Sequence, residues 1–261
     1  MFMKKLGILF IFLLFSSYTV HSQVLISLLL GDKLNSDEIE FGLEGGGNFS
    51  SIIGMDSKKY VSDWNIGFYF VYKLKKSWYV NTGVLVKAKM GSGKLTQKDL
   101  DFLGVDFPDS CLVDNGDYSQ KINAFIVPAM ARYMFKNRIY VELGFQASLR
   151  YKAWVEYDSK DKEELYHIKE FNKEFTNPID VGALAGIGYR LNNKRTGITL
   201  GIKYYYGFAN VFKGVPGMHN NSLFLKANIP IGAGEQAQKK REEKAKKRAA
   251  KKAEKEREKN N

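Results

Sequence analysis

At 261 residues, with 40 Lys+Arg against 28 Asp+Glu and a formal net charge of +12, the chain has room for one small barrel and short appendages. Its 24 glycines and 14% aromatic residues favour strands over helices, and its single cysteine, Cys111, excludes an intramolecular disulfide. Beyond the N-terminus no segment is apolar for long enough to be a transmembrane helix, so membrane residence has to come from strands.

The chain opens with Met1 to Lys5, a nearly continuous apolar run from Leu6 to Phe15, and a polar stretch to Ser22. These are the charged, apolar and polar regions of a secretory signal peptide, with Val20 and Ser22 at the cleavage positions and Gln23 first in the mature protein. A membrane anchor competes with that reading, because Val24 to Leu30 is apolar again. His21-Ser22-Gln23 interrupts the run, however, and a span needs about 20 residues. Residues 23–37 then form a short N-terminal periplasmic segment, and Cys111, far from the cleavage point, is no lipoprotein anchor and is read as incidental.

The first strand is expected near Glu38 to Asn48, with Phe41 and Leu43 on one face and Glu40, Gly42, Glu44 and Gly46 on the other. A polar loop over 50–63 leads to the second strand, 64–74, where Ile66, Phe68, Phe70 and Tyr72 alternate with Asn65, Gly67, Tyr69 and Lys73. After a turn at 75–77, the third strand, 78–90, sets Val80, Thr82, Val84, Val86 and Ala88 against Asn81, Gly83, Lys87 and Lys89, and a long loop fills 91–119.

The hairpin from Lys121 to Ala153 supplies the fourth and fifth strands around Lys136-Asn137-Arg138. In its second arm Val141, Leu143, Phe145, Ala147, Leu149 and Tyr151 alternate with Glu142, Gly144, Gln146, Ser148, Arg150 and Lys152, a period of two that separates an apolar from a polar face. Soluble strands commonly run about five or six residues, whereas a strand crossing hydrocarbon at a tilt needs about 9–11. A charged loop over 157–177, a sixth strand (178–191), a turn (192–197), a seventh strand (198–208), a loop (209–221) and an eighth strand (222–231) complete the series.

Connections alternate long and short, as in bacterial barrels with short periplasmic turns and longer outer loops, so both termini fall in the periplasm. The fold expected is therefore all-β, an eight-stranded antiparallel up-and-down transmembrane β-barrel over 38–232, followed by a charged, helical C-terminal tail over 233–261. No charged residue falls on the faces assigned outward, consistent with a cost of roughly 2–4 kcal/mol for Lys or Arg facing lipid at midplane. Tyr72, Trp78, Tyr133, Phe135, Tyr140 and Tyr189 flank the short turns as an interfacial aromatic girdle. The competing architecture is a soluble calycin-like barrel with an apolar interior and a polar exterior.

Four segments, Glu40 to Ser50, Ile126 to Phe135, Asp180 to Arg190 and Tyr204 to Asn210, resemble the PorT-like outer-membrane β-barrel family, a Bacteroidota-type outer membrane protein beta-barrel domain, over about Glu38 to Ile231. They carry strand alternation and glycine placement rather than chemistry, so the resemblance implies fold and location. The family's namesake assists a secretion system, which implies a role accessory to secretion or envelope organisation. The tail departs from the usual pattern, in which the last strand ends the chain on an aromatic residue.

An eight-stranded barrel has an interior just filled by side chains. The inward set places Glu40, Glu44, Glu142 and Asp180 against Lys73, Lys87, Lys89, Arg132, Arg150, Lys152, Arg190, Lys203 and Lys226, a salt-bridged plug with a basic excess or, alternatively, a narrow anion path. His167 and His219 survive signal removal but lack a nucleophile at a recognisable spacing, so no catalytic residue and no cofactor is expected. A lipid-modifying barrel enzyme is the alternative function. The Asp-rich loop matches no EF-hand and Asn115-Gly116 is first a turn, so no metal is expected; Asp114 and Asp117 are what a calcium ion would require. The partners expected are outer-membrane lipid and, through the basic tail, a periplasmic protein or the cell wall, with the barrel a monomer. The tail carries 12 Lys+Arg against 6 Asp+Glu from Glu235 onward, with i,i+4 pairs such as Glu242–Lys246 that favour a solvated helix, and export argues against nucleic acid.

Overall fold

The computed structural model describes residues 38–105, 107, 116–161, 164–193 and 197–231. The signal peptide, the 23–37 segment, Cys111, Asp114 and the tail lie outside them. Nine strands follow the chain: β1 (Ile39–Ile53), β2 (Val61–Lys75), β3 (Trp78–Ser92), β4 (Asp117–Met134), β5 (Ile139–Asp161), β6 (Glu164–Phe171), β7 (Ile179–Arg190), β8 (Thr199–Asn210) and β9 (His219–Pro230). Among the described residues an α-helix, α1 (Gln97–Leu103), sits between β3 and β4, and a 3-10 turn, Lys173–Phe175, between β6 and β7. The hydrogen-bonded order is β4-β3-β2-β1-β9-β8-β7-β5-β6, and β4 also pairs with β5. Eight strands thus close a ring, and β6 pairs only with the part of β5 that runs beyond it.

By contact the chain falls into two units, Gly42–Ile229 and the flanking residues, of which 38–41 and 230–231 are described. In the flanking unit the Ile231 amide donates to the Phe41 carbonyl at 3.0 Å. The bore and the outer face of the ring belong to the larger unit.

The period-two pattern decides which way each face looks. Leu143 and Phe145 are 68% and 67% exposed, and Ile179, Ile187, Leu200, Ile202, Leu225 and Ile229 are exposed with them, while Glu44, Asn81, Glu142, Gln146, Lys203 and Lys226 are buried. A soluble barrel would show the reverse, and an apolar face of this extent demands an apolar surround. The short turns bring β2 to β3, β4 to β5 and β7 to β8, at one end of the ring; Lys76 and Arg138 take positive φ (48° and 72°) in the first two. The longer connections gather at the opposite end.

Three features depart from the sequence reading. The expected loop over 157–177 is largely strand: β5 continues to Asp161, and β6 pairs with it from Trp154↔Phe171 to Asp161↔Glu164. The expected loop over 91–119 contains α1, whose start is a reciprocal capping box between Thr96 and Asp99 and whose end is Gly104 at φ 62°. Finally, β3 and β5 each carry an extra residue in mid-strand. In β3, Leu85 pairs with Gly67 and Lys87 with Ile66, leaving Val86 as a bulge. In β5, Arg150 pairs with Ala124 and Lys152 with Asn123, leaving Tyr151. Each bulge reverses the inside–outside phase of the remainder of its strand. Ala88, Met90 and Ala153 accordingly turn inward, and Lys87, Lys89 and Lys152 turn out.

Candidate functional site

Five of the inward charges, Glu44, Arg132, Glu142, Lys203 and Lys226, form one compact layer near the short-turn end. Glu142 on β5 sits across from Arg132 on β4, whose Nε donates to Oε1 at 2.6 Å, while Asn81 on β3 donates to the same oxygen at 2.7 Å. Lys226 on β9 donates from Nζ to Oε2 at 2.6 Å, and Lys203 on β8 pairs with Glu44 on β1. Strands from all around the ring are thereby tied across its bore, with each of these side chains at most 4% exposed.

Tyr140 lies within this layer, against the expectation that it joins the girdle. It is 0% exposed, with the Arg132 guanidinium 4.3 Å and the Lys226 amine 5.5 Å from its ring centre. The reason is phase: Tyr140 precedes Glu142 by two and shares its face. Gly188 and Gly201, on β7 and β8, leave the space its ring fills. Tyr72, Trp78, Phe135 and Tyr189 are exposed on the outside, and half-buried Tyr133 bridges Trp78 (5.0 Å) and Phe135 (4.9 Å).

Lys87 also departs from its expected place. The β3 bulge carries it out of the lumen, and its amine rests 3.4 Å from the centre of the Trp64 ring. Lys89 and Lys152 leave with their strands, and Lys73 is exposed beside the β2–β3 turn. Of the nine bases assigned inward, five remain, against the three acids Glu44, Glu142 and Asp180 of the same unit, so the basic excess that suggested an anion path shrinks to two. Arg150 satisfies the carbonyls of Asn177 and Thr176, both at 3.0 Å; Asp180 accepts from Asn220 at 2.9 Å, and Arg190 is buried at the end of β7. Glu40 is buried at the start of β1, in the flanking unit.

Above the charge layer the bore holds an apolar cluster among buried polar side chains such as Asn48, Asn65 and Gln146. Leu85, Met90, Ile126, Met130, Leu184 and Phe224 form one buried cluster, and beyond it the connections fold into a second. There Leu100 and Leu103 of α1 pack with Ile52, Ile122, Val155 and Phe212, while Phe102, Phe175 and Phe212 meet edge-on or tilted at 5.3–5.5 Å. Buried Asp99 latches this cap, accepting from the amides of Asp56 (2.8 Å) and Ser57 (2.9 Å) as well as capping its own helix. Asp99→Ala is expected to cost about 1–3 kcal/mol, confined to the cap. Limited proteolysis should then cut within 54–60 and 97–104 while the folded barrel band persists; wild-type cutting rates would mean that apolar packing alone holds the cap.

The two histidines take different partners. His219 Nδ1 lies 3.0 Å from the Ala209 carbonyl, and His167 Nδ1 lies 2.5 Å from Asp158 on the neighbouring strand. Among the described residues, Glu156, Asp158 and His167 form the one group of such side chains close enough to share a metal, with ligand atoms within 4.8 Å. Glu156 is already satisfied by Lys121, by Lys169 at 3.5 Å and by the Trp154 indole at 2.8 Å. Burial pushes its carboxyl up, but the hydrogen bonds from Lys121 and Trp154 and the Lys121 and His167 charges outweigh that and hold it at about 2. It is an ion-paired ladder, and sequence reading missed it because the pairs exist only once β6 is laid against β5. Asp117 is exposed, 3.6 Å from Lys94.

Among solved structures the chain is similar to Ail, the attachment invasion locus protein of Yersinia pestis, at 15% identity and TM-score 0.38, covering 73% of this chain and 97% of that one. It is also similar to Neisserial surface protein A (12%, TM-score 0.37, 72% and 96% covered) and to the N-terminal barrel domain of Pseudomonas aeruginosa OprF (10%, 0.27, 72% and 97%). No curated protein matches it in sequence. A family model described as "Outer membrane protein beta-barrel domain" matches residues 32–213, well over half the chain. The ring of outward-apolar strands belongs, with the rest of this chain, to the outer membrane protein beta-barrel domain family, whose place is integral to the outer membrane.

Proposed function

We propose that this protein is a closed, non-enzymatic barrel with a structural or interaction role, exported by its residues 1–22 and acting through the surfaces at its ends rather than by transport. The observation that carries this is the obstructed bore: the Arg132–Glu142–Lys226 layer, the apolar cluster around Ile126, Met130 and Phe224, and the cap latched by Asp99 lie one above another. Charged and apolar layers would both have to open for a solute to pass. The motifs at Glu40 to Ser50 and Asp180 to Arg190 support a PorT-like assignment within the family, hence a task accessory to secretion or envelope organisation, with the basic tail as a periplasmic contact.

Planar-bilayer recording tests the central point. The purified full chain is expected to insert without ohmic conductance steps, and a steady open channel in the wild-type protein would overturn the closed-barrel reading.

A further inference from the structure

The two bulges do more than empty the lumen of lysines: they assemble them on the outer surface. Lys89 on β3 lies beside Asn123, which lies beside Lys152 on β5. The next row is Gly91, Lys121, Trp154 and Phe171, and the row beyond it brings Glu156 against Lys169 on β6. The amines of Lys89, Lys152 and Lys169 stand 6.0, 5.6 and 5.7 Å from the centre of the Trp154 ring, whose residue is only 4% exposed beneath their stems. Lys152 also stands 4.8 Å from the Phe171 ring.

The carboxylates available do not balance this cluster. Asp63 takes Lys89, Glu156 is shared by Lys121 and Lys169, and Asp158 lies 3.8 Å from Lys121. Among the described residues Lys87 and Lys152 contact aromatic rings and no carboxylate. Five lysines facing three acids on one surface leave a local charge of +2, concentrated where four strands abut.

Position gives the charge its meaning. Immediately toward the short-turn end lie exposed Trp64, Phe125 and Tyr151, the last two in contact at 4.9 Å, and then the exposed aliphatic side chains of Leu149 and Leu143. The lysines therefore sit just above an aromatic border, on the side of the long connections, which in this family faces outward. Their stems lie on rings at the edge of hydrocarbon and their amines reach to headgroup level.

We propose that this face binds the phosphate groups of an anionic outer-leaflet glycolipid, with Lys87 and Lys152 as the phosphate ligands, Lys89 beside them adding positive charge from its pair with Asp63, and Trp154 and Phe171 as the surface against which its sugar or upper acyl segment lies. The site commits to lipid because the lysines adjoin the hydrocarbon face directly instead of crowning the cap.

Native mass spectrometry of the full chain in detergent, titrated with bisphosphorylated lipid A, monophosphorylated lipid A or inorganic phosphate, tests this. Bisphosphorylated lipid A should bind at least tenfold more tightly than the monophosphorylated form. The triple variant Lys87→Gln, Lys89→Gln, Lys152→Gln should lose at least tenfold, while Lys73→Gln, Lys75→Gln, Lys76→Gln at the opposite rim should lose none. Gel migration without boiling checks folding of each variant, and Lys152→Gln alone, expected to lose several-fold, serves if the triple variant misfolds. Equal losses at both rims, or none at either, would overturn the proposal. Competition by inorganic phosphate at matched concentration would also overturn it, since the site would then hold a free anion.

Discussion

Glu142→Ala is expected to destabilise the barrel by about 3–5 kcal/mol, the cost of removing one partner from a buried charged group. Its two oxygens serve three donors, with Arg132 and Lys226 each at 2.6 Å and Asn81 at 2.7 Å. Alanine would leave a guanidinium and an ammonium facing each other with no anion between them, both at most 4% exposed. The nearest remaining acid, Glu44, is already paired with Lys203. Glu142→Gln keeps an acceptor for Asn81 and for one cation while losing the charge, so it should fall between wild type and alanine. Replacing all three of Glu142, Arg132 and Lys226 by apolar residues of similar volume should recover much of the loss, because the cost comes from unpaired charge rather than from missing contacts. Urea titration in lipid vesicles, reading the folded band on unboiled gels, measures the series. If Glu142→Ala unfolds at the wild-type midpoint, water reaches this layer, and the plug would not be dry enough to close the bore.

The plug and the lysine face are two outcomes of one geometric event. All nine basic residues assigned inward come from strands whose alternation is plain, yet three of them follow a bulge. Had Val86 and Tyr151 not been inserted, Lys87, Lys89 and Lys152 would share a narrow bore with Arg132, Lys203 and Lys226 and few acids to neutralise them. The bulges instead leave a smaller basic excess in the lumen and move three lysines to the headgroup region, where a phosphate can meet them.

That also marks where sequence reasoning stops. The eight ring strands and their polar and apolar faces were legible, because a period of two persists for ten or more residues in each and short polar turns separate three pairs. The bulges were not, because Val84, Val86 and Ala88 continue an apolar alternation equally suited to a lipid face and to the apolar layer of the lumen. That layer was hidden for the same reason: Ile126, Met130 and Leu184 lie among residues apolar on both faces. β6 was masked by charge, since Glu164 to Phe171 reads as a loop until its lysine and histidine find Glu156 and Asp158 on β5. Tyr140 is different. Its phase with Glu142 was visible, and nearness to a turn wrongly outweighed it.

Tyr140 supplies a sharper test of the packing, since two glycines accommodate it in different ways. A Cβ on Gly188 would stand 2.2 Å from both the ring Cζ and the hydroxyl of Tyr140, and 2.4 Å from the Leu200 carbonyl. On Gly201 it would meet the Tyr140 hydroxyl at 2.5 Å, with the Ile187 carbonyl next at 3.0 Å. Gly188→Ala is therefore expected to cost about 3 kcal/mol, the upper end for overpacking, because a carbonyl held in the ladder cannot move aside, and Gly201→Ala about half as much. Tyr140→Phe removes only the hydroxyl. In the Gly201→Ala background it should restore most of the lost stability, and in the Gly188→Ala background little, since the ring carbon and the Leu200 carbonyl remain. The same urea series reads both cycles. Equal rescue of the two glycine variants, or none of either, would show that the tyrosine does not lie across Gly188 and Gly201 in this way, and the charge layer built around its ring would have to be redrawn.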